Sequence, residues 1–109
     1  LVQAANLNLV FDCGRGAVQR LAQINVPSPQ VDKFFLTHLH SDHVVGIPDL
    51  WLTGWVMGRG IPFRIWGSSG TVEMMSHLKI AYQTDIHIRR DLDERFALEG
   101  IEVEAGDIE

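Results

Sequence analysis

Apolar positions along the chain fall into short runs separated by glycine, proline and polar breaks. Leu1-Val2 and Leu7-Asn8-Leu9-Val10-Phe11 read as two strands of a hairpin, with Ala5-Asn6 as the turn. The glycines of Asp12-Cys13-Gly14-Arg15-Gly16 permit a tight turn into a helix. That helix covers 17–24, with Ala17, Val18, Leu21 and Ala22 as its apolar stripe and Gln19, Arg20 and Gln23 facing outward. Pro27-Ser28-Pro29 ends it. Val31-Asp32-Lys33-Phe34-Phe35-Leu36 then reads as a buried strand, which completes a βαβ unit and favours parallel pairing.

Gly46-Ile47-Pro48-Asp49 opens a second helix, expected over 47–57, with Pro48 in its first turn and Asp49 near the positive end of its dipole. Leu50, Trp51, Leu52, Trp55 and Val56 leave this helix little polar surface. Core packing is the expectation; a homodimer interface is the alternative, because Trp and Met are enriched at interfaces. Gly58-Arg59-Gly60 breaks the helix, and Pro62-Phe63-Arg64-Ile65-Trp66 is the next strand. Gly67-Ser68-Ser69-Gly70-Thr71 leads into a helix over 72–82, with Ser69 or Thr71 expected as its cap and Val72, Met75, Leu78 and Tyr82 as its core stripe. Ile101-Glu102-Val103-Glu104-Ala105 alternates and reads as a half-buried strand.

The chemistry is concentrated in Thr37-His38-Leu39-His40-Ser41-Asp42-His43, which holds three of the chain's five histidines. The run sits between a strand and a helix, where open α/β sheets place their binding crevices. Neutral imidazole suits zinc and its first-row neighbours, and a carboxylate adds an anionic oxygen. Alternation in an extended segment puts His38 and His40 on one side, able to grip one ion. Asp42 and His43 follow on the turn and can face a second position; paired ions need a separation of only ~3.5–4 Å. The plain alternative is a polar loop with chance histidines.

Composition changes this picture little. Hydrophobic residues make up 46% of the 109, which suits one compact unit. The formal net charge is −5, so no basic excess advertises nucleic acid. A single cysteine, Cys13, excludes an internal disulfide and fits a reducing, cytoplasmic setting. Leu1-Val2-Gln3-Ala4-Ala5 has no basic flank of a secretory leader, no apolar run reaches membrane-spanning length, and no membrane association is expected.

His38-x-His40-x-Asp42-His43 after an apolar strand resembles the metal-binding loop of the metallo-β-lactamase superfamily. Phe11-Asp12-Cys13-Gly14-Arg15-Gly16, the run Phe35 to His43, and Gly46-Ile47-Pro48-Asp49-Leu50 resemble its tRNase Z and arylsulfatase-like branch. The resemblance extends from about the first residue to the last. It implies an α/β fold, part of a four-layer αββα sandwich, with residues 1–109 as a partial domain. It further implies that a third histidine, a bridging aspartate and a final histidine lie beyond this sequence. The chain is therefore expected to be most of the first half of the domain, either a fragment or completed by another copy. Where the family has a Gly-Pro pair, Ser68 stands in place of the proline.

The mechanism that the resemblance implies uses two zinc ions, with manganese or iron as substitutes. His38 and His40 hold one ion; Asp42 and His43 hold the other, and Asp42 also orients the attacking water. A metal-bound hydroxide would attack a phosphodiester or sulfate ester, of a small molecule or of RNA. A lactone or thioester hydrolase of the same fold, or a catalytically incomplete metal-binding fragment, are the competing readings. Asp12 is either a turn or capping aspartate or, by the resemblance, a carboxylate that orients a ligating histidine. Cys13 reads as a small buried residue, and Arg15 as a solvated one that could also meet an anionic substrate. His77 reads as an i,i+4 partner of Glu73, and His87 as a surface or substrate-facing side chain. Arg89 and Arg90 carry forks suited to phosphate or sulfate, with solvation as the default; Asp91 to Arg95 reads as charged surface.

Overall fold

The structure, a computed structural model, describes residues 1–4, 7–26, 28–93 and 96–108. The expected turn at Ala5-Asn6, the stop at Pro27 and the end of the charged stretch at Glu94-Arg95 lie outside the described residues. Strand β1 (Val2–Ala4) pairs antiparallel with β2 (Leu7–Phe11), as the hairpin pattern predicts. Helix α1 (Ala17–Gln23) then crosses to β3 (Lys33–Phe35), which lies parallel to β2. A short helix α2 (Ser41–Val44) and helix α3 (Ile47–Val56) lead to β4 (Phe63–Gly67). Helix α4 (Thr71–Ala81), helix α5 (Gln83–His87), a π-type turn (Ile88–Asp93) and a 3-10 turn (Leu98–Ile101) precede β5 (Val103–Asp107). The sheet order is β1-β2-β3-β4-β5, and β2 to β5 are all parallel. Sequential parallel strands with crossovers of one hand put their helices on one face.

That face carries the core. Val10, Phe34, Ile65 and Ala105 are register neighbours across β2 to β5 and form one inward row. Leu21 of α1, Ile47, Leu50, Trp51 and Trp55 of α3 and Met75 of α4 close over it in a single apolar cluster. The apolar α3 thus packs into the chain's own core. The next row, Phe11, Phe35 and Trp66, points to the opposite face and stacks at 5.3 and 5.2 Å. Phe11 there is 51% exposed, and among the described residues no helical layer covers this face.

Of the expected core stripe of α4 only Met75 is buried, while Val72 and Tyr82 are exposed, because the helix lies on the sheet along its Thr71–Met75 side. Three further details depart from the sequence expectation. First, α3 ends in a Schellman motif: Gly58, at φ 117°, donates to the Trp55 carbonyl, and Arg59 donates its amide to Gly54. Arg59 is not a simple break but a buried side chain whose guanidinium donates to the carbonyls of Trp51 and Gly100 at 2.8 and 2.9 Å. Burial pulls its pKa down to about 10, so it stays charged at neutral pH against the negative end of the α3 dipole. Second, neither Ser69 nor Thr71 caps α4. The Thr71 hydroxyl donates back to Ser68, and the Asp107 carboxylate from β5 accepts from the Val72 amide at 3.0 Å. A tertiary carboxylate has replaced the local cap. Third, the last strand starts at Val103 rather than Ile101, because Ile101 is buried in the 3-10 turn and its carbonyl accepts from the Trp51 indole at 3.0 Å. The strand runs on through Gly106, where a Cβ would meet Trp66 at 2.9 Å.

Among the described residues, no helix is long and apolar enough to cross a membrane. Phe34 is fully buried and stacks on Phe63 at 4.3 Å. Replacing it with alanine should cost about 3–5 kcal/mol. Chemical denaturation of wild type and Phe34→Ala at matched m-value measures that loss.

Candidate metal centre

The histidine run leaves the carboxyl end of β3 in extended form, and His40 (φ −63°, ψ 143°) is the residue from which α2 starts. Asp42 and His43 therefore sit on a helical turn rather than on an open loop, which the sequence pattern did not reveal. The run is held against the turn after β2 by backbone bonds. Cys13 donates to the His43 carbonyl at 2.7 Å, and Gly46 donates to the Cys13 carbonyl at 2.7 Å. Both glycines at this junction are steric requirements. A Cβ on Gly14 would stand 2.7 Å from the Asp42 carbonyl oxygen, and one on Gly46 would overlap the Gly14 carbonyl.

Asp12 lies at the centre of this contact. Its backbone takes the left-handed conformation, φ 61°, one of the few non-glycine residues to do so. Its side chain does not cap α1; the α1 N-terminus has no side-chain cap. Instead Oδ1 accepts the Thr37 amide at 2.8 Å, and Oδ2 accepts the Thr37 hydroxyl at 2.8 Å. The same Oδ2 lies 3.2 Å from His43 Nδ1. Partial burial pushes the Asp12 carboxyl up, but the Thr37 amide, the Thr37 hydroxyl and His43 together hold it below the ordinary value.

This network sets histidine tautomers. An ionised carboxylate only accepts, so His43 presents Nδ1–H to Asp12 and keeps its Nε2 lone pair. The Thr37 hydroxyl has given its proton to Asp12, so it accepts from His38 Nδ1 at 3.0 Å. His38 is thereby also held as the Nδ1–H form with Nε2 free to ligate. Thr37 was not singled out by the sequence reading, although its place directly before the first histidine was the available signal.

The three imidazoles are brought together. His38 stands 4.0 Å from His43 and 4.9 Å from His40, ring centre to ring centre. His43 Nε2 lies 3.5 Å from Asp42 Oδ2, so this pair meets as expected. Asp42 is 77% exposed and His43 35%, which leaves the cluster open to solvent. The donor set and tautomers fit zinc or a related ion. Among the described residues, however, no group of three or more His, Cys, Asp or Glu converges closely enough to hold an ion unaided.

The remaining candidates lie elsewhere. Cys13 is fully buried, and burial pushes its thiol up to about 12, which removes it as a nucleophile. His77 faces Glu73 at 3.8 Å. His87 is bound to Asp91 at 2.8 Å. Arg89 pairs with Asp85 and Arg90 with Asp91, so neither fork is free for an anion.

A family model described as Anti-Pycsar protein Apyc1 matches residues 1–106. The chain belongs to this family. Ribonuclease Z of Mycolicibacterium gilvum (strain PYR-GCK) is 38% identical over 92 residues, which cover 82% of this chain and 32% of the relative. Ribonuclease Z of Mycobacterium marinum (strain ATCC BAA-535 / M) is 36% identical over 92 residues, 82% of this chain and 33% of the relative. The chain thus spans about a third of the length of the curated relatives it matches. The fold is that of human tRNase Z, short form, with a TM-score of 0.71 at 22% identity over 97% of this chain and 35% of that one. The metallo-β-lactamase fold protein YhfI from Bacillus subtilis gives 0.59 at 20% identity, over 98% of this chain and 37% of that one. The likeness to ribonuclease Z sequences and to the metallo-β-lactamase fold is the one its motifs indicated.

Gly46→Ala should force the 12–16 turn away from the histidine run and destabilise the chain by about 1–3 kcal/mol. Thermal unfolding, read alongside the histidine ring NMR signals, checks this, with the largest shifts expected at His43.

Proposed function

We propose that this chain forms the metal-binding part of a metal-dependent hydrolase of phosphodiester or sulfate esters. The observation that carries the reading is the Asp12 network, which readies two imidazoles as Nε2 donors beside a third. Ribonuclease Z relatives favour a phosphodiester, in RNA or a small molecule, over the sulfate, lactone or thioester alternatives.

His38 and His40 are assigned to one zinc ion, and Asp42 with His43 to a second; manganese or iron suit the same donors. When bound, such a pair supplies Lewis acidity and makes a water acidic enough to ionise near neutral pH. The chain's own residues do the rest. Asp12 holds the His43 ring and, through Thr37, the His38 ring, so that neither reorients as charge develops. Asp42, with its side chain 77% exposed, is assigned to accept a proton or a hydrogen bond from water. Cys13, neutral and enclosed, is no rival nucleophile.

A metal-binding unit without activity of its own is the second reading. It is favoured by the two-donor pairs, which need further ligands to close a coordination sphere. Elemental analysis of the purified chain, with a His38→Ala/His40→Ala double variant, tests the ligand assignment. Zinc bound by the wild type and lost in the double variant is expected; equal stoichiometry in both would refute it. Turnover of bis(p-nitrophenyl) phosphate by the metal-loaded chain then separates the enzyme from the inert unit.

Asp12→Ala should weaken zinc binding by about 10–100-fold while leaving the ligands in place. Competition with a chromophoric chelator measures that ratio, and unchanged affinity would remove Asp12 from the site.

A further inference from the structure

A cavity of about 320 Å³ opens at the same edge of the sheet, between the end of β2 and α1. It shares Asp12 and Gly14 with the histidine site. Its apolar wall includes Val10, Ala17 and Leu21, and Arg20 lines it too. Ala17, Arg20 and Leu21 fall on one side of α1 by their i, i+3, i+4 spacing. The volume is in the range of small-ligand sites, which are mostly apolar with a few placed polar groups.

Charge decides what such a ligand carries. The Asp12 oxygens are taken up by Thr37 and His43 on the side of the histidine run. Arg64, Arg89 and Arg90 are each ion-paired with carboxylates. Arg20 has no carboxylate partner among the described residues, so its fork is available to an anion. Val10 and Leu21, which line the cavity beside that fork, are buried hydrophobic side chains, a wall that suits a flat apolar ring.

We infer that this cavity binds the non-reacting arm of the substrate, an aromatic ring bearing a phosphate-type anion. The ring lies against Val10, Ala17 and Leu21, and the anion sits on the Arg20 guanidinium. The assignment of that arm to a substrate rests on the hydrolase reading above; the binding site itself does not.

NMR titration of the chain with phenyl phosphate tests the site, with phenol and inorganic phosphate as single-group controls. Saturable shifts at Ala17, Arg20 and Leu21 are expected, with phenyl phosphate tighter than either control. Arg20→Gln should weaken binding about tenfold, and Arg20→Lys should restore part of the loss. Ala17→Leu, which fills the cavity, should abolish it. No saturable binding by the wild type, equal affinity for inorganic phosphate, or unchanged affinity in Arg20→Gln would each overturn the inference. The His38→Ala/His40→Ala variant should still bind phenyl phosphate, so loss of the metal reading and loss of the cavity are told apart.

Discussion

The carboxylate of Asp12 ties together the parts of this chain that matter most for chemistry. It sits where β2 ends, in a left-handed conformation that costs of order 1–3 kcal/mol for a residue with a Cβ. Hydrogen bonds to a charged group contribute about 1.5–3 kcal/mol each, and Asp12 accepts two from Thr37 and faces His43 as well. The gain outweighs the strain. The same bonds position β3's exit, fix two imidazole tautomers and bring the 12–16 turn against α2. Removing the carboxylate would release all of these together, because they share two oxygen atoms.

The rest of the fold keeps that junction in place. The helical layer packs on the Val10, Phe34 and Ile65 row, directly behind the strand ends that carry Asp12 and Thr37. Trp51 and Trp55 of α3 bury their rings and send their indole N–H groups to the carbonyls of Ile101 and Ala97. Arg59 adds its guanidinium to the same seam. These bonds anchor α3, which is separated from α2 by only two residues and therefore holds the histidine run from its far end. The opposite sheet face, with its Phe11, Phe35 and Trp66 stack, is aromatic yet half-exposed.

Much of this was legible in the residues. Period-2 and period-3.6 patterns located every strand and the three longer helices, because apolar faces of those periods have only one way to be buried. The density of imidazoles between Phe35 and Gly46 marked the site, since few other arrangements put three histidines and an aspartate at a strand end. Cys13 read as a small buried residue because nothing beside it lowers the thiol pKa, and it is fully buried. Short helices such as α2 and α5 escaped notice because four or five residues carry too little periodicity to register.

The sequence by itself determined the order of elements, the parallel βαβ connection and the identity of the candidate ligands, all of which depend on residues close together in the chain. Only the tertiary structure decided which distant groups meet. Asp12 rather than a local residue reaches Thr37 and His43, across a gap of 25 residues to Thr37. Asp107 rather than Ser69 or Thr71 caps α4, across 35 residues to Val72. Arg59 was written between two glycines, yet its guanidinium belongs to a seam 41 residues away at Gly100. In the first two cases a charged group found its partner through the register of parallel strands, and in the third through the packing of α3 against the 3-10 turn. That register is set by the packing of whole faces and leaves no mark in any local window of sequence.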